Sequence, residues 1–226
     1  MTYLELIDIL KQNQSDSFAT FQRRLIATEY SILGVTTPTM RKIAKMYAKD
    51  WREICAFPNE YYEVVFIKLT LISKLPYEEF IQHIDYAVSL MDNWAHCDCF
   101  KADCIKKHKE EFLSVLDGLF QKDSEYYQRY VLVCLLSYYV EESYLPIIER
   151  YIQKADTSKY YVHMAVAWLT AEILIKEYDY GLRLLNARII EQKTHNKAIQ
   201  KACESYRLSK EEKLKLNYLK IKITER

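Results

Sequence analysis

Only three glycines and four prolines occur in this chain of 226 residues. Glycine and proline are the residues that most often end helices and form tight turns between strands. Their scarcity favours long helices joined by short connections over a sheet of many strands. Moreover, β-branched residues nowhere alternate with polar ones over a sustained stretch, so the pattern gives no support for strands. The chain is therefore predicted to be all-α.

Apolar residues recur at helical spacing along almost the whole chain. Residues 61–75, 125–140 and 159–176 are apolar on most sides, which is typical of buried helices, and a more amphipathic segment precedes each of them. The pairs recur at spacings of roughly 35 to 45 residues, which fits the about 40–47 residues of HEAT and armadillo repeats. We therefore expect a HEAT- or armadillo-like helical-repeat solenoid, an α-α superhelix, that forms a single domain over residues 1–226. The second helices of such pairs line a concave binding face.

One helix start is marked clearly. Thr37 is predicted as the N-cap and Pro38 as the first helical residue. The following turns carry Arg41, Lys42 and Lys45. Basic residues near a helix N-terminus oppose the helix dipole. We interpret these three side chains as groups that bind an external phosphate or a neighbouring acid.

The net charge of +1 and the pI near 7.6 are low for a dedicated nucleic-acid-binding protein, so a DNA interpretation depends on local charge. Residues 193–226 carry ten Lys or Arg against four Glu. Several of these side chains are predicted at or near a helix N-terminus, where free N–H groups favour phosphate: Lys193, His195, Lys197 and Lys201. The alternative is an ordinary solvated helix face.

None of the six cysteines forms a CxxC pair, which is typical of reduced cytosolic thiols. The N-terminus does not resemble a signal peptide, and no apolar run approaches the roughly 20 residues that span a bilayer. We expect a cytoplasmic protein. Cys97, Cys99 and Cys104 lie near His96 and His108 in the sequence, but their spacing fits no standard zinc pattern. No metal or other cofactor is expected.

The most unusual stretch is residues 92–98, Asp-Asn-Trp-Ala-His-Cys-Asp. Trp94 and Asp98 stand four residues apart, so on a helix the indole and the carboxylate lie on one face. Asp92 or Asn93 is explained as the helix N-cap. A cap does not explain Asp98, which must be paired or in contact with water. Asp98 is therefore a candidate functional carboxylate.

Two later helices carry similarly unexpected residues. Arg129 precedes an apolar run, and Trp168 lies within another. The separations from Asp98 to Arg129 and from Arg129 to Trp168 are each close to one repeat, and corresponding helices of successive repeats lie side by side. Trp94, Asp98, Arg129 and Trp168 are thus predicted to converge. Taken singly, Trp168 can be a core residue, Arg129 a surface residue at a helix start, and Asp98 its salt-bridge partner.

Four segments share features of a known family: residues 34–45 (GVTTPTMRKIAK), 92–98 (DNWAHCD), 160–168 (YYVHMAVAW) and 194–201 (THNKAIQK). They resemble, in the same order along nearly the whole chain, the signatures of bacterial DNA alkylation repair proteins, the AlkD-like HEAT-repeat DNA glycosylases. Thr36 and Gln128 depart from the pattern, because basic residues are common at these positions in the family.

The resemblance implies an all-α solenoid that embraces duplex DNA and hydrolyses the N-glycosidic bond of N3- or N7-alkylated purines without a cofactor. Asp98 matches the catalytic carboxylate, Trp94 and Trp168 match two tryptophans that flank the backbone of the lesion nucleotide, and Arg129 matches an arginine placed towards the DNA. A monomer in the bacterial cytosol or nucleoid is expected. The alternative is a non-catalytic HEAT-like scaffold that binds DNA structures or a protein partner.

Overall fold

The computed structural model describes residues 1–222, and its helices form two compact units, Met1–His108 and the part of the chain from Lys109 onward. Every regular element in residues 1–222 is a helix, so the all-α prediction is confirmed. Neighbouring helices pack in sequential pairs, as expected of a helical-repeat fold. That the whole chain is a single domain stays a prediction. None of the helices in residues 1–222 is long and apolar enough to cross a membrane.

Seven α-helices form the first unit. They are α1 (Tyr3–Gln12), α2 (Asp16–Leu25), α3 (Thr37–Met46), α4 (Trp51–Cys55), α5 (Tyr62–Ile72), α6 (Tyr77–Ser89) and α7 (Trp94–Cys99). Short 3-10 helices at Ala48–Asp50 and Asp103–Lys107 extend the connections. Helix α5 is the central element, because it packs against α3, α4 and α6 and is buried at almost every position. Its nearly continuous apolar sequence explains this placement.

Two charged residues lie inside this apolar helix and are fully buried. The Glu63 carboxylate accepts hydrogen bonds from the backbone N–H groups of Leu33 (3.1 Å), Gly34 (2.8 Å) and Val35 (3.2 Å). Lys68 donates from Nζ to the carbonyl oxygen of Phe57 and to the side chain of Asn59. Both charges therefore satisfy backbone groups of the loops that run past α5, as buried charged groups must.

The turn that Glu63 holds leads directly into α3. Gly34 has a φ of +87°, and a Cβ there would lie 2.3 Å from the carbonyl oxygen of Ser15, so both the conformation and the space require glycine. Helix α3 begins one residue earlier than predicted: Thr36 is the N-cap, while Thr37 and Pro38 are the first helical residues. The predicted cap was wrong by one position because the Thr36 backbone is still extended and Thr37 already helical.

The described part of the second unit, up to residue 222, contains seven α-helices. They are α8 (Lys109–Phe120), α9 (Glu125–Tyr138), α10 (Leu145–Lys154), α11 (Tyr160–Lys176), α12 (Tyr178–Asn186), α13 (Gln192–Glu204) and α14 (Lys210–Tyr218), with a 3-10 turn at Glu142–Tyr144. Helix α11 is the long central element and packs against α9, α12 and α13. The sequence predicts a helix over residues 197–206, and α13 begins five residues earlier, at Gln192.

Candidate functional site

The capping of α7 is fixed by a small polar network. Asn93 is the N-cap, and its Oδ1 accepts a hydrogen bond from the backbone N–H of His96 at 3.0 Å. The Asn93 amide nitrogen lies 2.7 Å from Asp92 Oδ1 and 2.8 Å from His96 Nδ1. Since the amide nitrogen donates, Nδ1 of His96 accepts and its proton is on Nε2. Burial lowers the pKa of His96, although Asp92 opposes this shift, which also favours the neutral ring.

Asp92 and Asn93 were the two predicted caps of α7, and Asp92 is not the cap. It links the start of α7 to the segment after α2. Its Oδ2 accepts hydrogen bonds from Thr28 Oγ1 at 2.6 Å and from the backbone N–H of Glu29 at 2.8 Å. Burial opposes ionisation of Asp92, but hydrogen bonds from its neighbours outweigh this effect and lower its pKa. The hydroxyl group of Tyr30 adds a bond to the carbonyl oxygen of Leu90 at 2.8 Å.

Trp94, the first residue of α7, is half-buried against the core of the first unit. Its indole N–H donates a hydrogen bond to the carbonyl oxygen of Leu25, the last residue of α2, at 3.0 Å. This bond and the Asp92 network fix the indole relative to α2. Trp94 therefore presents a partly exposed ring in one defined orientation.

Asp98 lies one helical turn after Trp94 and lines a pocket of about 850 Å³ in the first unit. The pocket is bounded by α3, the end of α5, α7 and the segment that follows α7. Its apolar lining is formed by Ala44, Ala48, Trp51, Leu71 and Leu75. Four basic side chains and two carboxylates also line it: Arg41, Lys45, Lys74, Lys101, Asp98 and Asp103. The formal balance of these groups, four positive and two negative, favours an anionic ligand.

Cys99, the last residue of α7, also lines the pocket, and three charged side chains of the pocket act on its thiol. Burial raises the pKa of Cys99; Arg41 and Lys101 oppose this shift, and Asp98 adds to it. The second carboxylate, Asp103, lies 2.8 Å from Lys106 and 3.5 Å from Lys74.

The structure brings together some of the sequence-predicted residues of the first unit and leaves out others. Arg41 and Lys45 share the pocket with Asp98, whereas Lys42 is exposed on α3 but is not among the lining residues. Lys74 and Lys101 line the pocket and were not predicted. Lys74 follows the end of α5 and Lys101 follows α7. Neither lies in a helix or a motif that would distinguish it in the sequence.

In the second unit, Arg129 is buried rather than exposed at a helix start. Only 5% of the residue is accessible, and its Nη1 donates to the carbonyl oxygen of Tyr161 at 3.1 Å. The guanidinium carbon also lies 5.8 Å from the centre of the Tyr161 ring. Trp168, on α11, is half-buried, so it is not sealed within the core. The convergence of these residues with Trp94 and Asp98 stays a prediction.

The predicted basic surface at the start of α13 needs one correction. His195 is only 2% exposed, and its Nε2 lies 3.0 Å from the carbonyl oxygen of Leu219, so it holds the chain after α14 and is not a surface residue. Lys201 lies in the last turn of α13, 2.9 Å from Glu204, not near the helix N-terminus. Lys197 lies 3.1 Å from Gln200 Oε1. The dipole argument therefore applies to Lys193 alone.

The cysteines near the pocket do not form a cluster. Cys97 is buried, Cys99 is exposed and Cys104 is half-buried. Within residues 1–222, no group of three or more His, Cys, Asp or Glu side chains is arranged to hold a metal ion.

The family model described as DNA alkylation repair enzyme matches residues 6–205 of this chain, which includes all four segments noted in the sequence. The match covers both units and confirms the resemblance. No curated protein matches the chain.

Proposed function

Because this chain belongs to the DNA alkylation repair enzyme family, we propose that it is a DNA glycosylase that hydrolyses the N-glycosidic bond of N3- or N7-alkylated purines in duplex DNA. The catalytic residue in this proposal is Asp98. The observation that carries it is the position of this carboxylate, in a pocket that also contains four basic side chains.

The chemistry needs one well-placed negative charge. An alkylated purine is positively charged and already a good leaving group, so the base requires little protonation. The barrier comes from the positive charge that develops on the deoxyribose as the bond to the base breaks. A carboxylate near C1′ stabilises that charge and orients the attacking water. Asp98 supplies this charge, and its place on the short helix α7 is fixed by the Asn93 cap.

The basic residues of the pocket are suited to bind the DNA backbone. Arg41 and Lys45 project from α3, and Lys74 and Lys101 line the same pocket. Each phosphate contact releases counterions, so log K falls with log [salt] by about 0.9 per contact. Four contacts predict a slope of roughly −3.6. Replacement of Lys101 by Ala is expected to reduce the magnitude of that slope by about 0.9, the value for one contact.

The aromatic residues complete the proposal. The exposed part of the Trp94 indole is proposed to lie against the lesion nucleotide, because an indole face attracts a cationic centre by about 0.5–2 kcal/mol. Trp168 is proposed to act in the same way from the second unit. Arg129 is proposed to act through Tyr161, since its guanidinium bonds the carbonyl oxygen of that residue. Lys193 and Lys197 are candidates for backbone contacts outside the pocket.

The test is base release from duplex DNA that contains N7-methylguanine or N3-methyladenine. Asp98→Asn should slow release by roughly 10²–10³-fold, the loss typical of one electrostatic group that stabilises a transition state. Asp103→Asn is the matched control, because it removes the same charge from the lining of the same pocket at a residue that lies outside α7. It should retain nearly full activity.

Undiminished release by Asp98→Asn would exclude Asp98 as the catalytic group. If the wild-type protein binds duplex DNA in a salt-dependent manner but releases no base from either substrate, the non-catalytic scaffold becomes the better account.

A further inference from the structure

Helix α2 carries an apolar stripe on its exposed surface. Phe21 is 54% exposed and Leu25 is 52% exposed, and the two side chains lie one helical turn apart. Phe18, one turn earlier, is half-buried and its ring stacks on Phe21 at 6.1 Å. Exposed apolar residues that occur singly are normal, whereas a contiguous patch marks a contact surface. We therefore expect the stripe to contact a binding partner.

Helix α2, which carries the stripe, is hydrogen-bonded to the proposed lesion site. The carbonyl oxygen of Leu25 itself accepts the indole N–H of Trp94. Immediately after α2, Thr28 and Glu29 donate hydrogen bonds to Asp92, two residues before Trp94. The end of α2 and Trp94 therefore cannot move independently while these bonds hold.

We propose that the Phe18–Phe21–Leu25 stripe is an interaction surface for duplex DNA, contacting the sugars and base edges next to the nucleotide that Trp94 faces. This inference rests on the proposed function. Proteins that bind DNA grooves commonly combine apolar side chains with arginine. Arg24, three residues after Phe21 in the last turn of α2, is exposed beside the stripe. Arg23 lies on the other side of the helix and donates a hydrogen bond to the carbonyl oxygen of Ile32 at 2.9 Å.

A second copy of the chain fits the stripe less well. A large aromatic side chain buries about 150–250 Å² in full, so a half-exposed one offers roughly 100 Å². Phe21, the smaller Leu25 and the exposed part of Phe18 together fall well below the ~800 Å² per partner of a stable protein interface. DNA needs no such area from the stripe, because the pocket cations supply the remaining attraction.

The experiment compares the affinities of the wild type and three variants for undamaged duplex DNA, measured by fluorescence anisotropy, and determines their molar masses by light scattering. The double variant Phe21→Ser/Leu25→Ser removes the stripe, and Leu25→Ser alone removes its end nearest Trp94. Leu4→Ser is the matched control, since Leu4 is 74% exposed on α1 of the same unit.

The double variant should bind DNA about tenfold more weakly, a loss of about 1.4 kcal/mol that is shared by the two apolar contacts. The single variant should show a smaller loss, and Leu4→Ser should bind like the wild type. All three should melt like the wild type, because exposed side chains are changed. If the double variant does not fold, the DNA affinity of Leu25→Ser is compared with that of the wild type.

Equal DNA affinity of wild type and stripe variants would overturn the inference and leave the proposed function intact. A wild-type dimer that becomes a monomer on removal of the stripe would assign the surface to a second copy instead. If the wild-type protein does not bind duplex DNA, the proposed function fails and this inference fails with it.

Discussion

Replacement of Glu63 by Ala should destabilise the first unit more than any surface substitution. The carboxylate is fully buried and accepts three backbone N–H groups, from Leu33, Gly34 and Val35. A buried donor left without a partner costs about 1–3 kcal/mol. Three such donors, partly rehydrated by water that enters the space of the lost side chain, give an expected loss of roughly 3–5 kcal/mol in the free energy of unfolding.

Glu63→Gln removes the charge of the side chain and keeps its shape. The Gln amide oxygen can still accept from the turn, but the bonds become neutral, and neutral hydrogen bonds contribute about 1 kcal/mol where charged ones contribute 1.5–3. Relief from burying a charge offsets part of this loss. We therefore expect Gln to cost less than Ala, on the order of 1–2 kcal/mol.

The assay is equilibrium denaturation in urea, with exposed Glu53→Ala on α4 as the control. The turn also sets the start of α3, which carries Arg41 and Lys45, so DNA affinity should fall together with stability in Glu63→Ala. If Glu63→Ala unfolds at the wild-type midpoint, the three hydrogen bonds do not hold the turn and the reasoning is refuted.

Two further substitutions test neighbouring features. Gly34→Ala should destabilise the protein by more than 2 kcal/mol, because a φ of +87° and a contact of 2.3 Å both oppose a Cβ; thermal unfolding measures this. Burial lowers the pKa of Lys68 to about 8, although Cys55 opposes the shift. The folded protein thus releases this proton before the unfolded chain does, so the contribution of Lys68 to stability should rise as the pH increases from about 8 to 10.5. Urea denaturation at several pH values measures it as a growing difference in the free energy of unfolding between the wild type and Lys68→Met.

The helices could be predicted from the sequence because apolar periodicity is a local signal. Residues 61–75 and 159–176 are apolar on most sides, and they became α5 and α11, the central helix of each unit. The start of α13 was missed because residues 192–196 are polar and contain no capping pattern. Their burial depends on the chain after α14, which bonds His195 and Asn196, and no local pattern reports that contact.

The candidate site was predictable only in part, for the same reason. The i, i+4 spacing places Trp94 and Asp98 on one helix without any tertiary information. That Asp98 shares a pocket with Arg41 depends on how α3 packs beside α5 and α7, and the sequence does not encode this locally. Lys74 and Lys101 follow helix ends, so no periodicity distinguishes them. The role of Glu63 could have been predicted in part, because a carboxylate within an apolar run requires a buried partner.

The acidic residues around the site differ in what neutralises them. Glu63 accepts hydrogen bonds from the backbone N–H groups of one turn. Asp92 accepts from Thr28, Asn93 and a backbone N–H, so both carboxylates stabilise the fold. Asp98 instead lies in a pocket with basic side chains. A pocket with both signs of charge suits a ligand that also carries both. The proposed substrate has an anionic phosphodiester for Arg41 and Lys101, and its deoxyribose becomes cationic in the transition state that Asp98 is proposed to stabilise. This complementarity is the reason that we propose Asp98 and not Glu63 or Asp92 as the catalytic group. Asp103 lines the same pocket, but only Asp98 lies on α7, one helical turn after Trp94.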